Sequence, residues 1–176
     1  MNERPEPSEA APYYFRYIDR VPGADVVGVL EAQLDGTDAA LRHISEEDSL
    51  YRYAPGKWSV RQVLSHVNDS ERVFLFRAVW FARGFDSPLP SFDEKMSAEA
   101  ARADEIPWGR HVDEYRAVRL STVTFFRNLP AEAWARTGAA SGNPFTVRAL
   151  AYILAGHLVH HLGVLQERYA LPRRAR

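Results

Sequence analysis

The sequence contains no cysteine among its 176 residues, and this absence excludes several classes of functional site. A disulfide framework, a thiolate metal site and a cysteine nucleophile are all ruled out. Any bound metal ion must therefore use imidazole, carboxylate, carbonyl or water ligands. The candidates for chemistry are consequently the histidines and the acidic side chains.

An excess of charge of one sign and long apolar runs are missing as well. Basic and acidic residues number 22 and 23, for a formal net charge of −1, which argues against nucleic acid or a membrane surface as a partner. No apolar run reaches the roughly 18 residues that a membrane-spanning helix needs. The segment from Met1 to Pro12 is polar and proline-rich, unlike a secretory signal. We therefore expect a cytoplasmic protein.

The chain also shows little of the period-two alternation that marks half-buried strands, whereas apolar residues recur with a helical period. Ser59 with Gln62 forms a capping-box pattern, and Thr146 is a second predicted helix cap. Glycine and proline predict loops over about residues 85–93 and 138–144. One short and four long helices are predicted, over about residues 24–45, 59–83, 92–104, 108–128 and 147–169.

Four long helices joined by loops predict an all-α four-helix bundle. The length suits a single domain. We predict three regions along the chain: a flexible N-terminal arm over residues 1–12, the bundle over residues 13–170, and a basic C-terminal tail over residues 171–176.

The most informative segment is Gly156-His157-Leu158-Val159-His160-His161 in the last predicted helix. Histidines four residues apart lie on one face of a helix, so their imidazoles can bind one ion. On a helical wheel His161 lies about 40° from His157, inside the leucine-rich stripe, whereas His160 lies about 60° to the other side. His157 and His161 therefore face the core and His160 faces its rim. Two buried histidines can also be satisfied by ordinary hydrogen bonds, and spacing alone leaves that alternative open.

A third candidate, His66, lies on the apolar stripe of the second long helix. If the second and fourth helices are neighbours, His66 joins His157 and His161 in the bundle interior, where such helices commonly build metal sites. Taken alone, His66 is explained as well by a hydrogen bond to another protein group.

The remaining polar residues are weaker candidates. Asp69, about 60° from His66 around the helix, is predicted to orient a ligand histidine, to be solvated, or to pair with Arg72 or another arginine. Glu71, about 140° away, is predicted to be solvated or paired with an arginine. His111 is predicted to lie on the surface. The third long helix is predicted to carry an exposed charged face with Asp113, Glu114, Arg116 and Arg119.

Three segments resemble the DinB/YfiT-like superfamily of bacterial metal-binding four-helix-bundle proteins. They appear in the family order and cover about residues 24–169. They are Tyr53-x-Pro55-Gly56-Lys57-Trp58-Ser59-Val60-Arg61-Gln62-Val63-Leu64-Ser65-His66-Val67, Pro88-Leu89-Pro90-x-Phe92-Asp93, and Pro144-Phe145-Thr146 through His157-x-x-His160-His161-x-Gly163.

The resemblance implies an up-down-down-up bundle, a homodimer and a divalent metal ion. In the family one histidine of the second helix and a His-x-x-x-His pair of the fourth bind the ion, which by position implies His66, His157 and His161. We expect Zn, Ni or Fe, since three imidazoles suit these ions. Because the ligands must be neutral, affinity is expected to fall below a pH of about 6.5.

Three imidazoles leave positions on the ion open, which is the layout of catalytic sites. The family includes thiol-dependent S-transferases, so a small-molecule substrate and a low-molecular-weight thiol are the implied partners. A metal-dependent hydrolase and a non-catalytic, stress-related metal-binding module are the alternatives, and the sequence does not choose among the three. No residue stands out as a general base, so no catalytic residue is assigned.

Overall fold

The structure is a computed structural model, and it describes residues 3–170. Its regular elements are mostly helical, as predicted. The α-helices are α1 Phe15–Ile18, α2 Val26–Arg42, α3 Val60–Ala82, α4 Glu94–Ala100, α5 Trp108–Arg127 and α6 Val147–Tyr169. The strands are β1 Thr137–Ala140 and β2 Asn143–Thr146. Short 3₁₀ turns cover Pro7–Glu9, Pro12–Tyr14, Asp48–Leu50, Ala103–Glu105 and Ala131–Ala135.

The predicted helix caps are confirmed at both positions. The Ser59 hydroxyl accepts a hydrogen bond from the Gln62 backbone N–H, and the Gln62 side chain accepts one from the Ser59 backbone N–H. Thr146 caps α6 by accepting from the Ala149 backbone N–H. These bonds satisfy N–H groups that a helix start leaves without partners, so they fix where the two histidine-bearing helices begin.

The four long helices form the predicted four-helix bundle, in which α3 packs against α6 and α5, and α2 packs against α5 and α6. Their relative directions follow from contacts between them. Arg42 pairs with Asp113 and Arg127 pairs with Glu31, so the residue numbers of α2 and α5 run in opposite directions. Helices α2 and α5 are therefore antiparallel.

The other pairs follow in the same way. Helices α3 and α5 are parallel, because Asn68 bonds to the His111 carbonyl near one end and Arg83 lies over Phe125 near the other. Tyr169, at the end of α6, bonds to the carbonyl just before α3, which makes those two helices antiparallel. These directions are consistent with an up-down-down-up order.

Helix α6 is the central element of the fold. Nearly every residue from Val147 to Leu158 is buried, so its early turns touch protein on all sides. Among the described residues it is the one helix whose length and composition would allow a membrane crossing, yet 61% of that stretch is buried inside the bundle. Its apolar character is thus explained by its place in the core.

A small antiparallel hairpin replaces part of a predicted loop. Residues 138–144 were predicted to lack strands, but β1 and β2 pair from Thr137 opposite Thr146 to Ala140 opposite Asn143. Ser141 and Gly142 form the two-residue turn with positive φ angles of 52° and 73°, the conformation that tight hairpins require. The all-α prediction therefore needs this one addition.

The N-terminal segment also differs from the flexible arm that the sequence predicts. Ala10 is buried and bridges to Phe145, and the Glu9 carboxylate accepts bonds from Thr146 and Arg148 at the start of α6. Residues 3–12 thus pack on the bundle, and the unpredicted helix α1 follows them. The predicted basic tail, residues 171–176, lies outside the described residues.

Candidate metal centre

Three imidazoles meet between α3 and α6, those of His66 and His157 buried and that of His161 half-buried. His66 comes from the second turn of α3, and His157 and His161 come from consecutive turns of α6. The Nε2 atom of His157 lies 3.3 Å from Nε2 of His66 and 3.1 Å from Nε2 of His161. One ligand atom from each of the three residues lies within 4.8 Å of the others. The structure therefore brings together all three histidines that the sequence singles out.

These separations fit a common ion. Two nitrogen ligands at about 2.05 Å from one ion are about 3.3 Å apart in tetrahedral geometry and about 2.9 Å apart at adjacent octahedral positions. The two Nε2–Nε2 distances from His157, 3.3 and 3.1 Å, fall within this span. The donor set is neutral nitrogen without carboxylate, as expected for Zn, Ni or Fe rather than Ca or Mg.

Hydrogen bonds between the rings satisfy this arrangement only in part. A neutral imidazole carries one N–H and one lone pair. A proton on one Nε2 can be shared between two rings, but a third Nε2 pointing at the same place then keeps an unsatisfied lone pair. A divalent ion accepts all three lone pairs at once, and this makes the cluster a candidate metal centre.

The cluster is neutral at physiological pH. Burial lowers the pKa of His161 to about 3, with a smaller contribution from His66. Burial also lowers the pKa of His66 and holds that of His157 well below the usual value, where His161 and His66 add to the effect. The fall in metal affinity predicted near pH 6.5 from ordinary histidine is therefore expected at a lower pH.

One side chain supports the required tautomer. The Ser70 hydroxyl lies 3.5 Å from Nδ1 of His66, one turn further along α3. A proton on Nδ1 that points at Ser70 leaves the lone pair on Nε2, facing His157. This is the usual way in which a neighbouring oxygen orients a ligand histidine. The sequence places Ser70 one turn from His66 as a small residue that leaves space beside the ring, but it does not predict that Ser70 orients His66, although the spacing of four residues was the available signal.

The other candidates lie elsewhere. His160 stands at the rim, half-buried, with its ring 5.6 Å from that of Tyr17. Asp69 accepts bonds from Ser97 and Arg72 and does not orient His66. Glu71 is paired with an arginine, as predicted in one of two alternatives, but that arginine is the fully buried Arg119.

Two surface predictions are wrong. His111 is only 1% exposed and its Nε2 lies 2.9 Å from the Ala103 carbonyl, because α5 packs against the turn before it. Arg119 is not part of an exposed charged face but is 0% exposed. Its guanidinium donates two bonds to Glu71, at 2.8 and 2.7 Å, and one to Gln33.

Helix α1 closes one side of the cluster. A side chain at Gly156 would collide with the Tyr17 carbonyl, because a Cβ there would lie 1.9 Å from that oxygen. Glycine therefore lets α1 pack directly on α6. As a result the Tyr17 ring stands 5.2 Å from the ring of His157. The sequence shows this glycine beside a candidate ligand, but the approach of α1 depends on tertiary packing.

Two cavities reach the cluster from different sides. The first, of about 120 Å³, has His157 and Ser70 in its wall together with Arg77 and Glu94. The second, of about 250 Å³, has His161 in its wall and is bounded by aromatic and basic residues. These are Tyr53, Lys57, Trp58 and Tyr169. A ligand at the centre can therefore be approached from both sides.

Comparison with known proteins was made by sequence and by structure. The family model described as the DinB superfamily matches residues 30–165. No curated protein sequence matches the chain. One similar solved structure is YfiT from Bacillus subtilis, described as a probable metal-dependent hydrolase with an unusual four-helix bundle topology. It is 18% identical, with a TM-score of 0.69, over 97% of this chain and 95% of YfiT.

A mycothiol-dependent maleylpyruvate isomerase is also similar in structure. It is 12% identical with a TM-score of 0.66, and the match covers 82% of this chain but only 61% of the isomerase. At these identities the likeness establishes the fold, and the activities named belong to those proteins.

Proposed function

Because the chain belongs to the DinB superfamily, we propose that His66, His157 and His161 bind one divalent ion, Zn, Ni or Fe, in a metal-dependent enzyme. The observation that carries the proposal is the convergence of three Nε2 atoms, with His157 at 3.3 and 3.1 Å from its two partners. A divalent ion held there would supply a Lewis acid able to stabilise a thiolate or to polarise a substrate oxygen.

The reaction we propose is a thiol-dependent S-transfer, in which a low-molecular-weight thiol and a second small molecule meet at the centre. Two cavities support a reaction with two substrates, since His157 lines one and His161 lines the other. The residues of the chain bind and orient: Ser70 fixes His66, and the Tyr17 and Trp58 rings pack on the imidazoles and exclude water.

Metal binding is tested first, by elemental analysis of gently purified protein and of single variants. Wild-type protein should contain about one equivalent of a divalent ion, and His157→Ala should contain none, because two imidazoles remain. His160→Ala is the matched control, since it removes a neighbouring histidine that stands outside the cluster. Equal metal content in His157→Ala and His160→Ala would refute the proposed centre.

The thiol proposal is tested on cobalt-substituted protein, whose absorption spectrum reports the ligands of the ion. Low-molecular-weight thiols should add a thiolate-to-cobalt charge-transfer band, and His161→Ala should remove it. If no thiol changes the spectrum of a protein that holds cobalt, the S-transferase proposal fails while the metal centre stands.

A metal-dependent hydrolase is the second candidate, and one observation favours it. Glu94 supplies a carboxylate to the cavity that His157 lines, in a position where hydrolysis would use a general base. YfiT, one of the similar structures, is itself described as a probable metal-dependent hydrolase. This candidate predicts turnover of esters or amides that is lost on chelation and in Glu94→Gln. Metal-dependent stability with no turnover of either kind would leave a non-catalytic metal-binding module.

A further inference from the structure

Among residues 3–170 three arginines are almost completely buried, and one of them has no acidic partner within that range. Arg61 and Arg119 are 4% and 0% exposed, and pair with Glu46 and Glu71 respectively. Arg77 is also 4% exposed, but none of the ion pairs between described residues includes it. A buried guanidinium is costly unless a negative charge compensates it. The other two arginines show that this fold supplies such a charge elsewhere.

The contacts of Arg77 are to uncharged acceptors. Its Nη2 donates to the Ser141 hydroxyl at 2.9 Å and to the Pro90 carbonyl at 3.3 Å. Burial lowers the pKa of Arg77. A guanidinium has five N–H donors and stays charged in proteins. Arg77 therefore retains its charge, Tyr14 is a further uncharged neighbour, and only Nη2 donates in the two bonds to Ser141 and Pro90.

The same cavity reaches both Arg77 and the candidate metal centre. Arg77 and His157 both line it, and Phe74 lies between them. The guanidinium carbon is 5.6 Å from the Phe74 ring, and that ring is 6.1 Å from the ring of His157. Aromatic side chains form much of the remaining wall: Tyr13, Tyr14, Tyr17 and Phe92. A molecule lying along Phe74 thus has a cation at one end and the histidine cluster at the other.

We propose that this cavity binds a small organic carboxylate, with the carboxylate on Arg77, an apolar body against Phe74 and the tyrosines, and the reacting end toward His157. A carboxylate matches the planar fork of donors that a guanidinium presents. The orientation toward a reacting centre rests on the proposed function, whereas the recognition of the carboxylate by Arg77 does not. The substrate class assigned to this protein is accordingly a small carboxylic acid with an apolar or aromatic body.

Glu94 is the competing partner for Arg77. Its carboxylate lines the same cavity but is exposed at the rim and makes no ion pair with Arg77. If Glu94 were the natural counter-charge, neutralising it would weaken the site. If a ligand carboxylate takes that role, Glu94 repels the ligand, and Glu94→Gln should bind the ligand more tightly.

The test uses phenylacetate and its uncharged amide, phenylacetamide, titrated calorimetrically into the full-length protein with and without bound metal. The affinity for phenylacetate should be at least about tenfold higher than the affinity for the amide, as expected for hydrogen bonds to a charged group. Arg77→Gln should abolish this preference, and Arg77→Lys should retain part of it. Arg83→Gln is the control for net charge, because Arg83 is exposed near the end of the same helix and outside the cavity.

The outcomes separate this inference from the proposed function. A carboxylate preference that depends on Arg77 in both metal-loaded and metal-free protein supports the inference, even if the metal centre fails its own test. Equal binding of acid and amide to wild type, or a preference that survives Arg77→Gln, overturns it. Weaker phenylacetate binding by Glu94→Gln also overturns it, since that result assigns the role of counter-charge to Glu94.

Discussion

Helix α3 contributes to two polar clusters in the interior of the bundle. The two clusters differ in how their polar groups find partners. On the side facing α5 and α2, Glu71 meets Arg119 in a two-bond ion pair, and Arg119 also bonds to Gln33. On the side facing α6, His66 meets His157 and His161 with ring nitrogens turned toward one another. The first cluster joins donors to acceptors, whereas the second brings together three ring nitrogens that hydrogen bonds satisfy only in part.

Within one bundle, then, one set of buried polar groups stabilises helix packing and another set forms a candidate functional site. The ion pair is complete within the protein, so it specifies how three helices pack. On the proposed function the histidine cluster is completed by a cation from outside, and it borders two cavities while the ion pair is sealed. The two are joined, because Gln33 also donates to the carbonyl of Ala155, two residues before His157. The ion pair thereby holds α6 where its histidines converge.

The largest expected effect comes from breaking the sealed cluster. Arg119→Met should destabilise the protein by about 3–5 kcal/mol, because it leaves the Glu71 carboxylate buried without a partner. In the metal-free protein His66→Ala should cost much less, since it removes one ring from a cluster whose nitrogens are only partly satisfied by one another. Urea denaturation of both variants, with metal chelated, measures the contrast.

The matched control is the double variant Arg119→Met/Glu71→Leu, which removes both charges. It should recover much of the stability that the single variant loses, since apolar replacements of a buried pair are often tolerated. A single variant as stable as wild type would mean that the ion pair does not hold the helices. The ion pair could then no longer be contrasted with the histidine cluster as a structural element.

The sequence predicted the histidine cluster better than the ion pair, and the reason lies in α3. A helix that faces one neighbour shows one apolar stripe, and His66 was placed by such a stripe. Helix α3 is buried on two sides, so Glu71, far from His66 around the helix, is nevertheless inside. On α5 the signal for Arg119 was present, four residues after Tyr115 and three before Thr122, both buried. Its charge led to the wrong prediction of an exposed face.

Features that depend on contacts between distant segments escaped prediction. Strands β1 and β2 contain glycine, alanine and proline at positions where strand propensity favours β-branched residues. They form where Gly138 lies under the Phe81 ring, which leaves no room for a side chain. The charge of Arg77, which has no ion-pair partner within residues 3–170, is equally invisible in sequence, since it becomes apparent only when the partners of the nearby carboxylates are known.

Metal should stabilise the histidine cluster and leave the ion pair unaffected. At a free metal concentration of about 100 times Kd, binding to the folded state adds about 2.7 kcal/mol to the free energy of unfolding. Thermal denaturation should therefore show a higher Tm with metal for wild type and for His160→Ala, but not for His161→Ala. Equal melting of metal-free and metal-loaded wild type would contradict this prediction.

The pH dependence should distinguish the clusters in the absence of metal. The pKa of His161 is about 3 in the folded protein and about 6.5 in an unfolded chain. Between these values the unfolded state binds the proton and the folded state does not, so stability is full above about pH 6.5 and declines as pH falls toward 3. Each histidine whose pKa is lowered in this way changes the free energy of unfolding by up to about 1.4 kcal/mol per pH unit.

Denaturation midpoints of metal-free wild type and His161→Ala, measured at neutral pH and at several lower values, test this slope. The variant should lose less stability per pH unit, because one titrating group is gone. Identical slopes for the two proteins would show that His161 is not held neutral by burial.

The smallest effect should come from the residue that orients His66. Ser70→Ala removes the hydroxyl 3.5 Å from Nδ1 of His66, and metal affinity should fall by about tenfold, the lower end of what loss of an orienting partner costs. Unfolding of the metal-free protein should change little, because the hydroxyl is not needed for packing. Ser65→Ala is the matched control, since Ser65 is a buried serine beside His66 in sequence. Competition with a metal-binding dye measures both affinities. Equal loss in the two variants would mean that α3 responds to any truncation there, and that His66 needs no orienting acceptor to complete the cluster.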